Sequence, residues 1–265
     1  MPEAALLGLA ASLVAGAMTG LGGLAAGFGG ALDERRQNLL IGFAAGVMIA
    51  AAFFSLILPA IARVQGSGAS PASATLAVGA AVALGALAIA WLGGAVERGA
   101  VRAGWPRHPD ADAVGGQAEM RRVMLIVIAI TLHNLPEGMA VGLGFMSGDP
   151  QLGFATMLGI GIQNIPEGMA VAAVLATLGW SRLRCGLAAL ATGLIEPLGG
   201  ALAVGVVRAS TAALPWALGI SAGAMLFVAL AEMLPHARRR IEHGSATPAL
   251  LAGLGVMMFL DISLG

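Results

Sequence analysis

The chain is apolar over lengths that a soluble fold cannot hide. Eight stretches, at 4–30, 38–62, 72–96, 122–146, 152–178, 185–207, 213–235 and 247–264, carry almost no charge. A hydrocarbon layer about 30 Å thick needs about 20 such residues per helix. Within that layer every backbone N–H and C=O must be satisfied inside its own segment. The stretches therefore read as eight transmembrane helices, and the fold class as all-α and polytopic. Only 11% of residues are charged, against about 25% in a soluble domain. The 40 glycines and scarce aromatics point to helices packed closely through small residues. The whole chain, 1–265, reads as one transmembrane domain, with a longer polar loop at 97–121 between the third and fourth spans. The N-terminal stretch lacks the basic region of a cleaved leader and reads as the first membrane helix. Cys185 is the only cysteine, which excludes an intrachain disulfide, and it reads as a packing residue. Zero formal net charge gives no footing for nucleic acid.

Charge sets an orientation. All basic residues are Arg. Arg35, Arg36, Arg98, Arg102, Arg107, Arg121, Arg122, Arg182, Arg184, Arg238, Arg239 and Arg240 fall in alternate loops, and only Arg63 and Arg208 fall on the other side. The positive-inside rule makes the Arg-rich side cytoplasmic and both termini external. Trp91, Trp105, Trp180 and Trp216 lie near span ends or in loops, as interfacial anchors do.

Two internal repeats divide the chain. HNLPEGMAV at 133–141 recurs as QNIPEGMAV at 163–171. A weaker repeat at a shift of 177 residues carries Leu21-Gly22-Gly23 onto Leu198-Gly199-Gly200, and Gly42, Ala45, Gly46 and Met48 onto Gly219, Ala222, Gly223 and Met225. The same shift carries Pro71 onto Pro248. Matched spans are an odd number apart, so the halves are inverted. The expected architecture is a 3+2+3 arrangement about a pseudo-two-fold axis in the membrane plane, with the substrate site at the repeat interface.

Five carboxylates, Glu137, Glu167, Glu196, Glu232 and Asp261, lie in apolar spans with no Arg or Lys inside those spans to pair them. Each costs several kcal/mol if left facing lipid, so such residues mark functional sites. His133 and Glu137 sit at i and i+4 on one helical face, and Gln163 and Glu167 repeat that spacing. Asn134 and Asn164 lie at the same depth. Pro136 and Pro166 press on the carbonyls of Leu132 and Ile162, so a kink is expected there, opening a polar cavity. Two carboxylates, an imidazole and three carboxamides are thus expected to converge. Imidazole with carboxylate suits Zn²⁺, Fe²⁺ or Mn²⁺, and the lack of thiolate argues against Cu⁺. Glu196, beside Pro197, reads as a ligand or as a helix-helix hydrogen-bond partner. Glu232 and His236 read as a gate or exit site or as an interfacial pair, Asp261 as interfacial or as an entry residue, and Met48 as core or as a site-facing thioether. The 102–122 segment reads as a linker or, through His108, Asp110, Asp112 and Glu119, as a weak collector of metal ions, and His243 reads as solvated.

The paired HNLPEG and QNIPEG motifs resemble those of the ZIP family of divalent-metal transporters, bacterial members above all. The resemblance covers essentially the whole chain. It implies a bacterial inner-membrane protein that is not an enzyme, with a binuclear metal centre on the two central helices. It implies a primary site of His133, Glu137, Gln163 and Glu167, and an adjacent one of Asn134, Asn164, Glu167 and Glu196. It places Met48 and Ser55 on a helix facing the site. It further implies uptake of Zn²⁺, with Fe²⁺, Mn²⁺ and Cd²⁺ as further substrates, by a sliding movement of spans one, four, five and six against the rest. Some relatives have His at Gln163 and Asp at Asn164, so this site has less imidazole and less charge. Gly-rich helix faces allow a homodimer. Two rivals share the buried carboxylates: an intramembrane zinc hydrolase, which would be expected to carry HExxH, absent here, and a proton-coupled carrier of a non-metal substrate.

Overall fold

A computed structural model describes residues 2–28, 34–102, 116–234 and 246–264. Among these residues every regular element is helical, and eight helical segments are long and apolar enough to cross a membrane. Span one is α1 (Pro2–Phe28). Span two is α2 (Glu34–Ala51), a π-helical segment (Ala52–Ile57) and α3 (Leu58–Gly66). Span three is α4 (Pro71–Arg102), and spans four and five are α5 (Gly116–Met146) and α6 (Pro150–Ala176). Span six is α7 (Arg182–Gly193) and α8 (Glu196–Ala209). Span seven is a 3₁₀ turn (Thr211–Ala213), α9 (Leu214–Phe227) and a second π-helical segment (Val228–Met233), and span eight is α10 (Thr247–Leu264). The sequence-read boundaries agree to within a few residues. Most of the 97–121 loop, with His108, Asp110 and Asp112, lies outside the described residues, as do His236 and His243.

The helices pack as two groups. Spans one, four, five and six lie together, with α1 against α6 and α7, and α5 against α8. Spans two, three, seven and eight form the second group, with α2 against α10 and α4 against α9. The groups meet where α2 and α10 touch α6 and where α9 touches α5. The pairing obeys the internal repeat: one with five matches six with four, and two with eight matches seven with three.

Glycine contacts make that correspondence readable residue by residue. A Cβ on Gly22 would strike the Ile165 carbonyl, and one on Gly199 the Leu135 carbonyl. Gly168 lies against the Thr19 carbonyl as Gly138 lies against that of Glu196. Close approach of helix backbones through such positions is how membrane helices associate without a hydrophobic drive between them. The third spans obey a different shift. Gly46 abuts Leu250 as Gly223 abuts Val82, and Gly253 abuts Phe43 as Gly85 abuts Ile220, so span eight matches span three at 168 residues rather than 177. The Pro71–Pro248 match is therefore a coincidence of sequence: it pairs residues that do not occupy equivalent places, because the chain between spans two and three is not the length of that between seven and eight.

Local breaks fall outside the two motif helices. Both α5 and α6 run on as α-helices through Pro136 and Pro166, with the interruptions elsewhere. In span two the Leu58 N–H bonds the Phe53 carbonyl, and in span seven the Leu234 N–H bonds that of Ala229, both five residues back. Proline follows each π-segment by two residues, Pro59 after Ile57 and Pro235 after Met233. Lacking an N–H, Pro59 cannot serve the carbonyl four residues before it, and a wide turn absorbs the mismatch. Span six breaks at Leu194–Ile195, one turn before Pro197, whereas span one is unbroken and has Gly20 at the matching position.

Packing of this kind makes a direct prediction. Gly223→Val drives a branched side chain into the Val82 backbone, which cannot yield, whereas Gly79 on the same α4 faces open space. Overpacking costs about 1–3 kcal/mol. In a detergent melt, Gly223→Val is expected to lower the midpoint by about 5 °C or more, and Gly79→Val by less than about 2 °C.

Candidate metal centre

The doubled nonapeptide places its polar residues on the facing sides of α5 and α6. Asn134, Glu137, Gln163, Asn164 and Glu196 are wholly buried, while His133 and Glu167 are partly buried. Gln163 Nε2 donates to Glu137 Oε1 at 2.7 Å, linking the two copies directly. Asn164 Nδ2 donates to the Ala15 carbonyl at 2.8 Å and to Glu196 Oε1 at 2.6 Å, bringing in spans one and six. Glu137, Glu167 and Glu196 are neighbours in this centre. The break at Leu194–Ile195 makes Glu196 the first residue of α8. A carboxylate in the first turn suits the partial positive charge of a helix N-terminus.

The centre is short of hydrogen-bond partners. Asn134 Oδ1 and Nδ2, Glu137 Oε2, Gln163 Oε1, Asn164 Oδ1, Glu167 Oε2 and Glu196 Oε2 are buried with none. Folded proteins leave few buried polar atoms unpaired, and clustered exceptions point to a ligand or ion. Six of these orphans are oxygens, the donor atoms a divalent cation takes alongside imidazole.

Among the described residues, no group of three or more His, Cys, Asp or Glu side chains is placed to hold a metal ion by itself. The carboxamides of Gln163 and Asn164 stand among the carboxylates and donate to Glu137 and Glu196. Met48 is buried in an apolar cluster with Ala140 and Val141 of α5 and Ile160 of α6. Ser55, in the first π-segment, donates to Asp261 Oδ1 at 2.8 Å, so Asp261 has a buried partner rather than an interfacial setting alone. Glu232 lies in the second π-segment.

Further residues enter from other spans. Ser12 on span one donates to the Gly138 carbonyl at 3.3 Å, and Ser221 on span seven donates to that of Pro136 at 2.9 Å. Small hydroxyl residues in Gly/Ala-rich helices carry no distinguishing sequence signal.

Comparison with known proteins identifies the family. A family profile described as "ZIP Zinc transporter" matches residues 105–261. The chain is 39% identical to "Zinc transporter GufA" of Myxococcus xanthus over 97% of its length and 99% of that protein's. It is 42% identical to "Zinc transporter ZIPB" of Bordetella bronchiseptica over 98% of its own length and 81% of that protein's, and 30% identical to human "Zinc transporter ZIP11" over 85% and 87%. With a doubled motif on two adjacent spans, eight membrane helices and likeness along nearly the whole sequence, this chain belongs to the ZIP zinc transporter family.

Proposed function

We propose that the protein carries Zn²⁺ from outside into the cytoplasm by alternating access, through a binuclear site on spans four and five. The observation that carries this reading is the set of buried oxygens without partners on Asn134, Glu137, Gln163, Asn164, Glu167 and Glu196. His133, Glu137, Gln163 and Glu167 line the primary site. Asn134, Asn164, Glu167 and Glu196 line the second, and Met48 offers a thioether beside them. Half a turn of the Gln163 or Asn164 carboxamide exchanges its N–H₂ for its oxygen, so the bonds to Glu137 and Glu196 give way to metal coordination. Oxygen and nitrogen ligands without thiolate hold an ion well enough to select it and loosely enough to release it. Fe²⁺, Mn²⁺ and Cd²⁺ fit the same donors.

The two helix groups support alternating access. Spans one, four, five and six hold every site residue except Met48, and they slide as a block against spans two, three, seven and eight. The Ser221 bond to the Pro136 carbonyl crosses between the groups and is remade in each cycle. The protein is a bacterial inner-membrane transporter of one domain, 1–265, with both termini outside, the 97–121 loop in the cytoplasm, and a homodimer allowed by its Gly-rich faces. Named zinc transporters among its relatives speak against an enzyme.

The test is uptake of radiolabelled zinc by purified protein in proteoliposomes, with metal analysis of the same preparation. Saturable uptake, bound divalent metal and a zinc-induced rise in melting temperature are expected. Protein that binds no metal and melts identically with and without zinc would favour the proton-relay rival. Asn164→Asp adds a negative charge to the second site, and is expected to tighten zinc binding by about tenfold in equilibrium dialysis.

A further inference from the structure

The two helix groups meet at a thioether. Met257 of span eight is wholly buried. Its Sδ lies against Gly159 of span five, in space that a side chain there would fill. Gly159 and Gln163 are four residues apart on α6, so they share a helical face one turn apart. Met257 and Asp261 share a face of α10 in the same way. Spans five and eight are an odd number apart and so antiparallel, which puts Gln163 and Asp261 on opposite sides of the Met257–Gly159 contact.

Each of those two residues already has an oxygen-bearing partner. Asp261 accepts from Ser55 of span two at 2.8 Å, and Gln163 donates to Glu137 in the metal centre at 2.7 Å. An ion moving from one pair to the other crosses two helical turns, about 11 Å. Ala52, Leu56 and Ile160 share a buried cluster with Met257, and their side chains offer no donor. A cation without ligands is costly in such surroundings. The Met257 sulfur is a donor at the middle of that gap.

We infer that Met257 is a transit ligand that biases the choice of metal: its thioether receives the ion between Asp261 and Gln163. The inference rests on the metal-site reading above and adds to it a ligand from span eight. A thioether is a soft donor, so it favours Cd²⁺ over the less soft Zn²⁺. It carries no charge and holds the ion weakly, as a step along a path requires. Gly159 keeps room for the sulfur beside the backbone of span five.

Met257→Leu conserves volume and removes the sulfur, so the fold is expected to hold. Proteoliposomes are supplied with labelled Zn²⁺ and Cd²⁺ together, so that the ratio taken up reads the ratio of their Vmax/KM. In Met257→Leu the Cd²⁺ to Zn²⁺ ratio is expected to fall about three- to tenfold, the worth of one weak polar contact. A ratio equal to wild type overturns the inference, whether both uptakes persist or decline together, because a packing role touches the two ions alike. Wild-type protein that takes up no Cd²⁺ overturns it as well. Should Met257→Leu fail to accumulate as folded protein, Met257→Ile gives the same decision. Glu167→Ala, assayed in parallel, separates the two levels. Uptake that survives it sinks the metal-site reading, whereas uptake lost there with an unchanged ratio in Met257→Leu sinks only the role of Met257.

Discussion

Glu167→Ala is expected to reduce zinc uptake in proteoliposomes by about a hundredfold or more. The magnitude follows from what the residue supplies. Glu167 stands on span five, one turn after Gln163, with Oε2 buried and without a partner. Its carboxylate lies near those of Glu137 and Glu196, and in the proposed function it serves both sites. Removing one charge from a buried, compensated set costs about 3–5 kcal/mol, and each 1.4 kcal/mol is about tenfold in affinity. Repulsion among the remaining carboxylates falls at the same time, so the protein itself should fold normally and melt no lower than wild type. Loss of transport without loss of stability is the signature of a ligand. Unchanged uptake would remove the carboxylate cluster from the mechanism.

The second large effect is at Glu196, where stability and transport are expected to part. Glu196→Ala leaves Asn164 Nδ2 with the Ala15 carbonyl alone and takes a negative charge from the start of α8. Uptake is expected to fall about tenfold or more, and the melting temperature to fall with it, since a buried donor loses a partner. Glu196→Gln keeps the shape and an oxygen to accept from Asn164. It should recover the melting temperature but not the uptake, because a carboxamide brings no charge to the cation. Wild-type uptake by Glu196→Gln would mean that Glu196 serves only as the helix-helix hydrogen-bond partner.

Much of this centre is legible in the sequence. His133, Asn134, Glu137, Gln163, Asn164 and Glu167 announce themselves because polar groups inside long apolar runs are costly, and because PEGMAV occurs twice. Glu196 stands out for the same reason. Which atoms meet is not legible there. The carboxamides of Gln163 and Asn164, read as ligands, donate their N–H groups to Glu137 and Glu196 in this structure. The Ser55–Asp261 bond joins residues 206 apart, and no local pattern predicts such a contact.

Span number, helical class and the antiparallel central pair were determined by the sequence alone, because hydrocarbon leaves a backbone few ways to satisfy itself. Length, apolarity and the spacing of Arg then suffice. Tertiary structure decided three things. It moved the third-span correspondence from 177 to 168 residues, since only backbone contact between glycine-lined helices fixes their relative slide. It placed the helix breaks at Leu194–Ile195 and in two π-segments, since neighbouring helices determine which backbone strain is tolerated. It also set the Met257 thioether against Gly159, one turn from Gln163. In sequence Met257 is an ordinary methionine in an apolar helix, and only its contact across the two helix groups distinguishes it.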